Sequence, residues 1–509
     1  MRTESKALPV TQTGPVFSLS DNVLAEIFLF TKPRGIFATD GTRDIWDVNS
    51  LASVCQRWLS VAKATRACWA RVEVTDERAE CGWGMVHRVN KELEAYLRRS
   101  REARLCIKLN VARGVPGYAS KKCPTLLGTL LKHIGRWGSL TVDLGDHRDI
   151  MDTQLSLVVP CLADMPLLRS IRLKNTGRAA CPWLTILKRL GEGVPGDKDL
   201  RRLELKVLVL HSAGKHRDRL EFGDVGAGLH FLVNLTQLHA HVAPNVAVKM
   251  VQLCTSLVDA QFDFTMPRRT RVVGWSGGLV THPRLVRLGI KTSPYPRLCQ
   301  RRSFPHDAFA VVLDNLACPS LSSMTLKADA VCGVRPMGRD LPVDETAHVS
   351  RVECEMSFRR HLDGPFDPPS DQEGESVGNS LPVHFFPISL ERFLVNSPSL
   401  RNLVLDSIPL HSSQLIRLFA VTPKLADLTI FEWKLRQGED VNIRPELLSN
   451  NIFLDWIACE DSLPNLRHLH LMLSHSFEAE GPIAELIKTL ECQGLESAVV
   501  KSTLEDTER

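Results

Sequence analysis

One pattern recurs through most of the chain: L-x-x-L-x-L, with other apolar residues tolerated at the same places. It stands at Leu168-Ile171-Leu173, Leu200-Leu203-Leu205, Leu235-Leu238-Ala240, Leu257-Ala260-Phe262, Leu285-Leu288-Ile290 and Leu321-Met324-Leu326. After a gap it returns at Leu400-Leu403-Leu405, Leu425-Leu428-Ile430 and Leu466-Leu469-Leu471, often with a proline just before it. Val349-Val352-Cys354 reads as one further, weaker copy. The last two apolar residues of each triplet are two apart, the period of a strand with one buried face. The first packs the turn that leads into the strand. Such a unit cannot bury its apolar face alone, so the copies must stack. A chain of 509 residues also exceeds what one compact core accommodates, which favours a small domain beside a larger repetitive one.

In this form the pattern resembles the leucine-rich repeat, degenerate and without a firm Asn or Cys step. The resemblance implies short parallel strands on a concave face and helices on the convex side. Upstream, the chain already alternates helix-like and strand-like pieces. Val89, Leu93, Tyr96 and Leu97 have helical spacing, and Leu105, Ile107 and Leu109 alternate. Leu126, Leu127, Leu130, Leu131 and Ile134 are helical again, and Leu140, Val142 and Leu144 alternate.

The N-terminal part has a different character. Ser20 is a good helix N-cap, with Asp21 in the first turn. Val23, Leu24, Ile27 and Phe28 fall on one helical face. Leu51, Val54, Cys55, Trp58, Leu59 and Ala62 form a second amphipathic stripe. Trp69 follows on a short segment, then Arg71-Val-Glu-Val alternates as an opening strand. Between the helices, 31–46 contains Pro33, Gly35 and Gly41 and reads as an exposed loop.

At Leu19, Val23, Leu24, Glu26, Ile27 and Phe28, then Leu51, Val54, Cys55, Arg57 and Trp58, then Trp69, the sequence resembles the F-box family. It is most similar to the F-box proteins common in mushroom-type fungi. Ser20 stands where the family usually has proline, and the link between the helices is longer than usual. The resemblance covers about a tenth of the chain. It implies docking of Leu19, Val23, Leu24, Ile27, Phe28, Leu51, Val54, Cys55, Trp58 and Trp69 on a Skp-type adaptor, and through it a cullin. Area bookkeeping points the same way. Val54, Trp58 and Trp69 can fill a small centre, which leaves the apolar face of 19–28 as surplus surface.

The expected fold is therefore α/β multidomain: a small N-terminal helical F-box at 17–73, then an irregular leucine-rich-repeat solenoid at 74–493. A polar, Pro-rich insertion at 359–382 and tails at 1–16 and 494–509 are expected to be disordered. The net charge of +5 is too small to argue for nucleic acid or an anionic membrane. No run is long and apolar enough to span a bilayer, and the N-terminus lacks the apolar core of a signal peptide. The 14 cysteines are scattered, and Cys55, Cys106 and Cys254 read as buried thiols of a reducing compartment, cytoplasm or nucleus.

Three motifs carry an alternative. Gly274-Trp275-Ser276-Gly277-Gly278 matches the nucleophile elbow, which requires a helix after it; His282-Pro283 argues against one. Gly191, Gly193 and Gly196 match G-x-G-x-x-G but come after a helical run rather than a strand. His239/His241 and His468/His470 sit at strand spacing without a further ligand nearby in sequence, so no metal or other cofactor is expected. The resulting expectation is the substrate-recognition subunit of a Skp–cullin–F-box ubiquitin ligase, itself non-catalytic, with an unidentified protein substrate and neither nucleic acid nor membrane as partner. The substrate is expected on the concave face, where Arg172, Lys174, Glu204, Lys206, His239, His241, Gln261, Asp263, Lys291, Lys327, Asp406, Phe431, His468 and His470 point outward. The alternatives are a repeat scaffold acting outside a ligase and, less favoured, a serine hydrolase at Ser276.

Overall fold

The computed structural model describes residues 18–31, 33–38, 48–76, 83–111, 123–143, 161–175, 183–191, 204–212, 229–265, 275, 277–293, 305–328, 386–408, 410, 412–431, 457, 463–473, 487–492 and 494–502. The expectations for 1–16, for 359–382 and for the copy at Val349 lie outside these residues.

The strands are β1 (Gly35–Ala38), β2 (Arg71–Asp76), β3 (Leu105–Val111), β4 (Trp137–Asp143), β5 (Ser170–Asn175), β6 (Val207–Ser212), β7 (Gln237–His241) and β8 (Asp259–Thr265). They continue with β9 (Val280–Thr281), β10 (Arg287–Ser293), β11 (Leu316–Ala317), β12 (Ser323–Ala328), β13 (Asn402–Asp406), β14 (Asp427–Phe431), β15 (His468–Leu473) and β16 (Ser497–Ser502). All but β9 and β11 form one 14-stranded sheet in chain order. Neighbouring strands are parallel, as in β8–β10, β10–β12 and β12–β13. The large parallel sheet with interleaved helices is consistent with a solenoid-like arrangement.

The triplets explain how each unit is built. In the ladder, Ala260, Leu288, Met324 and Leu403 stand side by side, as do Phe262, Ile290, Leu326 and Leu405. All of these are buried. The first triplet residue closes a β-turn. The N–H of Leu168 donates to the Met165 carbonyl, Leu321 to Cys318, Leu400 to Ser397, Leu425 to Thr422 and Leu466 to Leu463. In each case the residue after the acceptor is proline, the residue favoured at that turn position. The next step is also uniform. Val286 and Arg287 both donate to the Val258 carbonyl, Ser322 and Ser323 to Val286, and Arg401 and Asn402 to Ser322. The backbone groups leading into each strand are thus satisfied by the preceding unit. Helices at Pro305–Leu313 and Phe386–Val395 cover the buried side, with the rings of Phe309 and Phe386 5.4 Å apart.

Several expectations are corrected. The strand predicted at Leu200-Leu203-Leu205 is displaced by five residues. Leu205, Leu208 and Leu210 hold the three triplet positions, and Leu208 and Leu210 align with Ile171 and Leu173. Two overlapping copies of the pattern compete here, and the strand forms over Val207-Leu-Val-Leu, where β-branched residues are concentrated. The link 31–46 is not simply a loop, because it contains β1, which pairs in parallel with β2. Gly35 permits this. A Cβ there would lie 2.7 Å from the Tyr96 ring and 2.8 Å from the Phe37 ring. The predicted second helix is two helices. The chain segments are α1 (Asp21–Phe30), α2 (Val48–Ala52) and α3 (Gln56–Ala64), the last capped by Cys55, whose Sγ accepts from the Trp58 N–H. Ile134 lies in a separate short turn, Ile134–Arg136, beyond the helix that ends at Leu131. Residues 497–502 form the last strand rather than part of a frayed tail. Cys254 is buried as expected, but Cys55 is only half-buried and Cys106 is exposed, because Cys106 alternates onto the open face of β3.

The sheet begins inside the helical segment, and the buried core runs on from it. Trp69 and Phe37 both pack against Tyr96, with ring centroids 5.1 and 5.4 Å away. The Tyr96 hydroxyl donates to the carbonyls of Cys68 and Arg71. The 17–73 segment and the first helix–strand unit therefore share one core.

Candidate docking face and open sheet surface

α1 starts where the sequence places it: Ser20 is the N-cap, and its hydroxyl accepts from the Val23 N–H. Arg57 fastens this end to α3. Its guanidinium pairs with Asp21 at 2.8 Å and donates to the Leu19 carbonyl. Phe28 and Trp58 meet with ring centroids 5.1 Å apart. The Trp69 indole N–H donates to the Ala62 carbonyl, and the Arg99 guanidinium lies 4.6 Å from the Trp69 ring centroid.

This packing divides the predicted docking residues. Leu24 and Phe28 are 1% and 0% exposed, and Trp69 is equally buried. These three are core, and an adaptor could not reach them without unfolding the helix. Val23, Ile27 and Val54 are 44%, 39% and 59% exposed. Val54 therefore does not fill the centre; the break between α2 and α3 turns it to solvent. Leu19, Leu51, Cys55 and Trp58 are half-buried. The apolar stripe of α1 is wider than one interface: Leu24 and Phe28 face inward, while Val23 and Ile27, again four apart, face out.

On the sheet, alternate side chains face away from the core in two ladders. One runs Arg172, Val209, His239, Gln261. The other includes His241, Asp263, Lys291, Lys327, Asp406 and Phe431 in successive register. Lys174 and His211 are paired positions of the same row. His239 donates from Nε2 to Asp263 at 2.9 Å, and Lys327 pairs with Asp406. The Phe431 and His470 rings are 5.4 Å apart. Glu204 and Lys206 do not belong to this face. They precede β6, and Glu204 instead accepts from Arg104 and Arg169. Those two arginines hold its carboxylate below the usual range. His468 sits at the start of β15, beside Ser497 and Asp427.

The sheet also brings together groups that are distant in sequence. The His211 ring lies 6.5 Å from those of both His239 and His241. Burial lowers the His211 pKa, an effect that the Asp263 carboxylate opposes. Burial alone would raise Asp263, but the hydrogen bond from His239 and the charges of His241 and Lys291 outweigh it and leave the carboxyl below its ordinary value. Among the described residues, no group of three His, Cys, Asp or Glu is arranged to hold a metal ion.

An open cleft of about 770 Å³ adjoins the N-terminal helices. Its floor is a grid set by strand register: Arg71, Cys106 and Ser139 in one row, Glu73, Lys108 and Thr141 in the next. Phe30, the last residue of α1, and Thr31 and Arg34, from the connection to β1, form its wall. Sequence spacing does not reveal this site because its cations at 34, 71 and 108 share no motif.

Ser276 lies outside the described residues. Gly277 and Gly278 lead into the two-residue strand β9, paired with β11, and not into the helix an elbow requires. Of the G-x-G-x-x-G stretch, only Gly191 is described, at the end of the helix Trp183–Gly191. Among the described residues, no helix is long and apolar enough to cross a membrane. The chain matches no protein-family model, and no curated protein matches it either.

Proposed function

We propose that this chain is a non-catalytic recognition subunit. Its N-terminal helices act as an F-box that docks on a Skp-type adaptor, and its repeat-like sheet presents a target protein for ubiquitin transfer by other subunits. The observation that carries the reading is the exposure of Val23, Ile27 and Val54 within the segment that resembles the F-box family. Val23 and Ile27 share one face of α1 and Val54 stands at the turn into α3; joined into one patch, such apolar surface marks an interface. The open sheet face, with its ladders of mostly polar side chains, offers a large surface for a protein partner. The buried free thiols Cys68, Cys254 and Cys318 fit a reducing compartment such as cytoplasm or nucleus. The mechanism is proximity: holding a substrate lysine near a charged enzyme replaces a bimolecular encounter.

The test uses the full chain and a purified Skp-type adaptor. Ile27→Asp with Val54→Asp places two charges in the proposed contact without touching Leu24 or Phe28. Adaptor affinity should fall by at least about tenfold, the equivalent of about 1.4 kcal/mol, with the circular dichroism spectrum unchanged. A wild-type chain that fails to bind the adaptor, or a double variant that binds equally well, refutes the reading. Adaptor binding without cullin recruitment in cells would instead favour a scaffold acting outside a ligase.

A further inference from the structure

The cleft beside β2–β4 has an unbalanced charge. Among the described residues, its lining carries three cations, Arg34, Arg71 and Lys108, and one carboxylate, Glu73. Glu73 is buried and fully engaged: Lys108 pairs with it at 2.6 Å, Arg34 at 3.2 Å, and the Asn110 amide donates to it at 2.7 Å. Among the described residues, the half-buried Arg71 guanidinium makes no hydrogen bond or ion pair. A guanidinium has five N–H donors and no acceptor, and half-burial deprives it of part of its water shell. Neighbouring floor positions supply a small thiol and hydroxyls, at Cys106, Ser139 and Thr141. The wall supplies the Phe30 ring, 86% exposed. The volume falls within the range of small-molecule and side-chain sites.

We infer that this cleft binds a phosphate monoester carried on an aromatic or apolar body. The oxyanion pairs with Arg71 and accepts from the floor hydroxyls, and the body lies against Phe30. A planar guanidinium matches two phosphate oxygens at once, which an isolated ammonium does not. The group could be free in solution or borne by a peptide side chain; the chemistry recognised is the same. The cleft involves none of Val23, Ile27 and Val54, although Phe30 at the end of α1 lines it.

The experiment is calorimetric titration of the full chain with phenyl phosphate, phenol and inorganic phosphate, and with a short peptide containing phosphotyrosine beside its unphosphorylated form. Phenyl phosphate should bind, phenol should not, and inorganic phosphate should bind more weakly. Tighter binding of the phosphopeptide than of phenyl phosphate identifies a peptide source; equal or weaker binding identifies a small molecule. Arg71→Gln should weaken phenyl phosphate by at least about tenfold, and Phe30→Ala should weaken it more than it weakens inorganic phosphate. Should Arg71→Gln fail to fold, Cys106→Asp provides the same test at an exposed position, since its carboxylate would occupy the adjacent guanidinium from within. Equal affinity in wild type and either variant, or the absence of any phenyl phosphate binding, overturns the inference.

Discussion

Leu288→Ala tests whether the stacked ladder is what holds the chain together. Leu288 lies in the middle of the sheet, 1% exposed, with Ala260 on one side and Met324 on the other in register. Buried leucine-to-alanine changes destabilise by roughly 2–5 kcal/mol, depending on how far the site collapses. Here the two flanks differ. Ala260 is already small and cannot fill the void, whereas Met324 is flexible and can move partly into it. The expected loss is therefore in the middle of the range, about 3 kcal/mol. In a stack where each unit contacts only its neighbours, the loss should be local. Urea unfolding followed by circular dichroism gives the overall effect, and hydrogen exchange read by mass spectrometry gives its extent. Amides of β8, β10 and β12 should lose protection, while those of β3 and β15 keep theirs. Thr325→Ala, on the open face beside Gly289, is the control and should change stability by less than about 0.5 kcal/mol. A loss below about 1 kcal/mol for Leu288→Ala, or protection lost uniformly from β3 to β15, would refute nearest-neighbour stacking.

Gly35→Ala should destabilise the N-terminal end by about 1–3 kcal/mol through overpacking, since its Cβ would meet Tyr96 and Phe37 below contact distance. Thermal unfolding measures it, and in a Tyr96→Leu background the same Gly35→Ala change should cost less; an equal cost there would place the strain elsewhere. Stability should also fall on acidification. Folding lowers the pKa of His211 below the ordinary 6.5 and that of Asp263 below 3.8, so the unfolded chain binds more protons across both windows. The contribution of His211 is complete above pH 6.5 and is lost as pH falls through its folded pKa; that of Asp263 goes in the same direction at lower pH. Unfolding midpoints measured from about pH 7.5 downward should show a shallower decline in His211→Asn than in wild type, and an identical decline would remove His211 from the explanation.

The strands at β5, β7, β8, β10 and β12 to β15 are legible in the sequence because two buried residues two apart leave little freedom of register. The exception at β6 has a physical cause. Leu200, Leu203, Leu205, Leu208 and Leu210 contain the pattern twice in overlap, and only strand propensity over Val207 to Leu210 separates the two. β1 is hidden because Gly-Ile-Phe-Ala, between Pro33 and a polar stretch, has the composition of a loop. Its strand character comes from the waiting edge of β2. The docking face is half legible. Spacing identifies an apolar stripe on α1, but only packing against Trp58 and Trp69 decides that Leu24 and Phe28 turn inward and Val23 and Ile27 outward.

Order along the chain, not spacing, determines which groups meet on the open face. Lys327 and Asp406 are ion-paired although 79 positions separate them, because β12 and β13 are consecutive strands of the sheet. His239 and Asp263 meet across 24 positions for the same reason, through β7 and β8. Once the buried pair of each strand is known, its outward neighbours are fixed, whatever lies between units. Segments between units can therefore lengthen or shorten without altering the ladder. A single change of phase, such as the five-residue displacement at β6, has the opposite effect. It exchanges Glu204 and Lys206 for Val209 and His211 beside His239 and His241. What this surface can recognise is thus controlled by strand phase in each unit. Substitutions that shift phase should alter binding far more than insertions between strands of the same size.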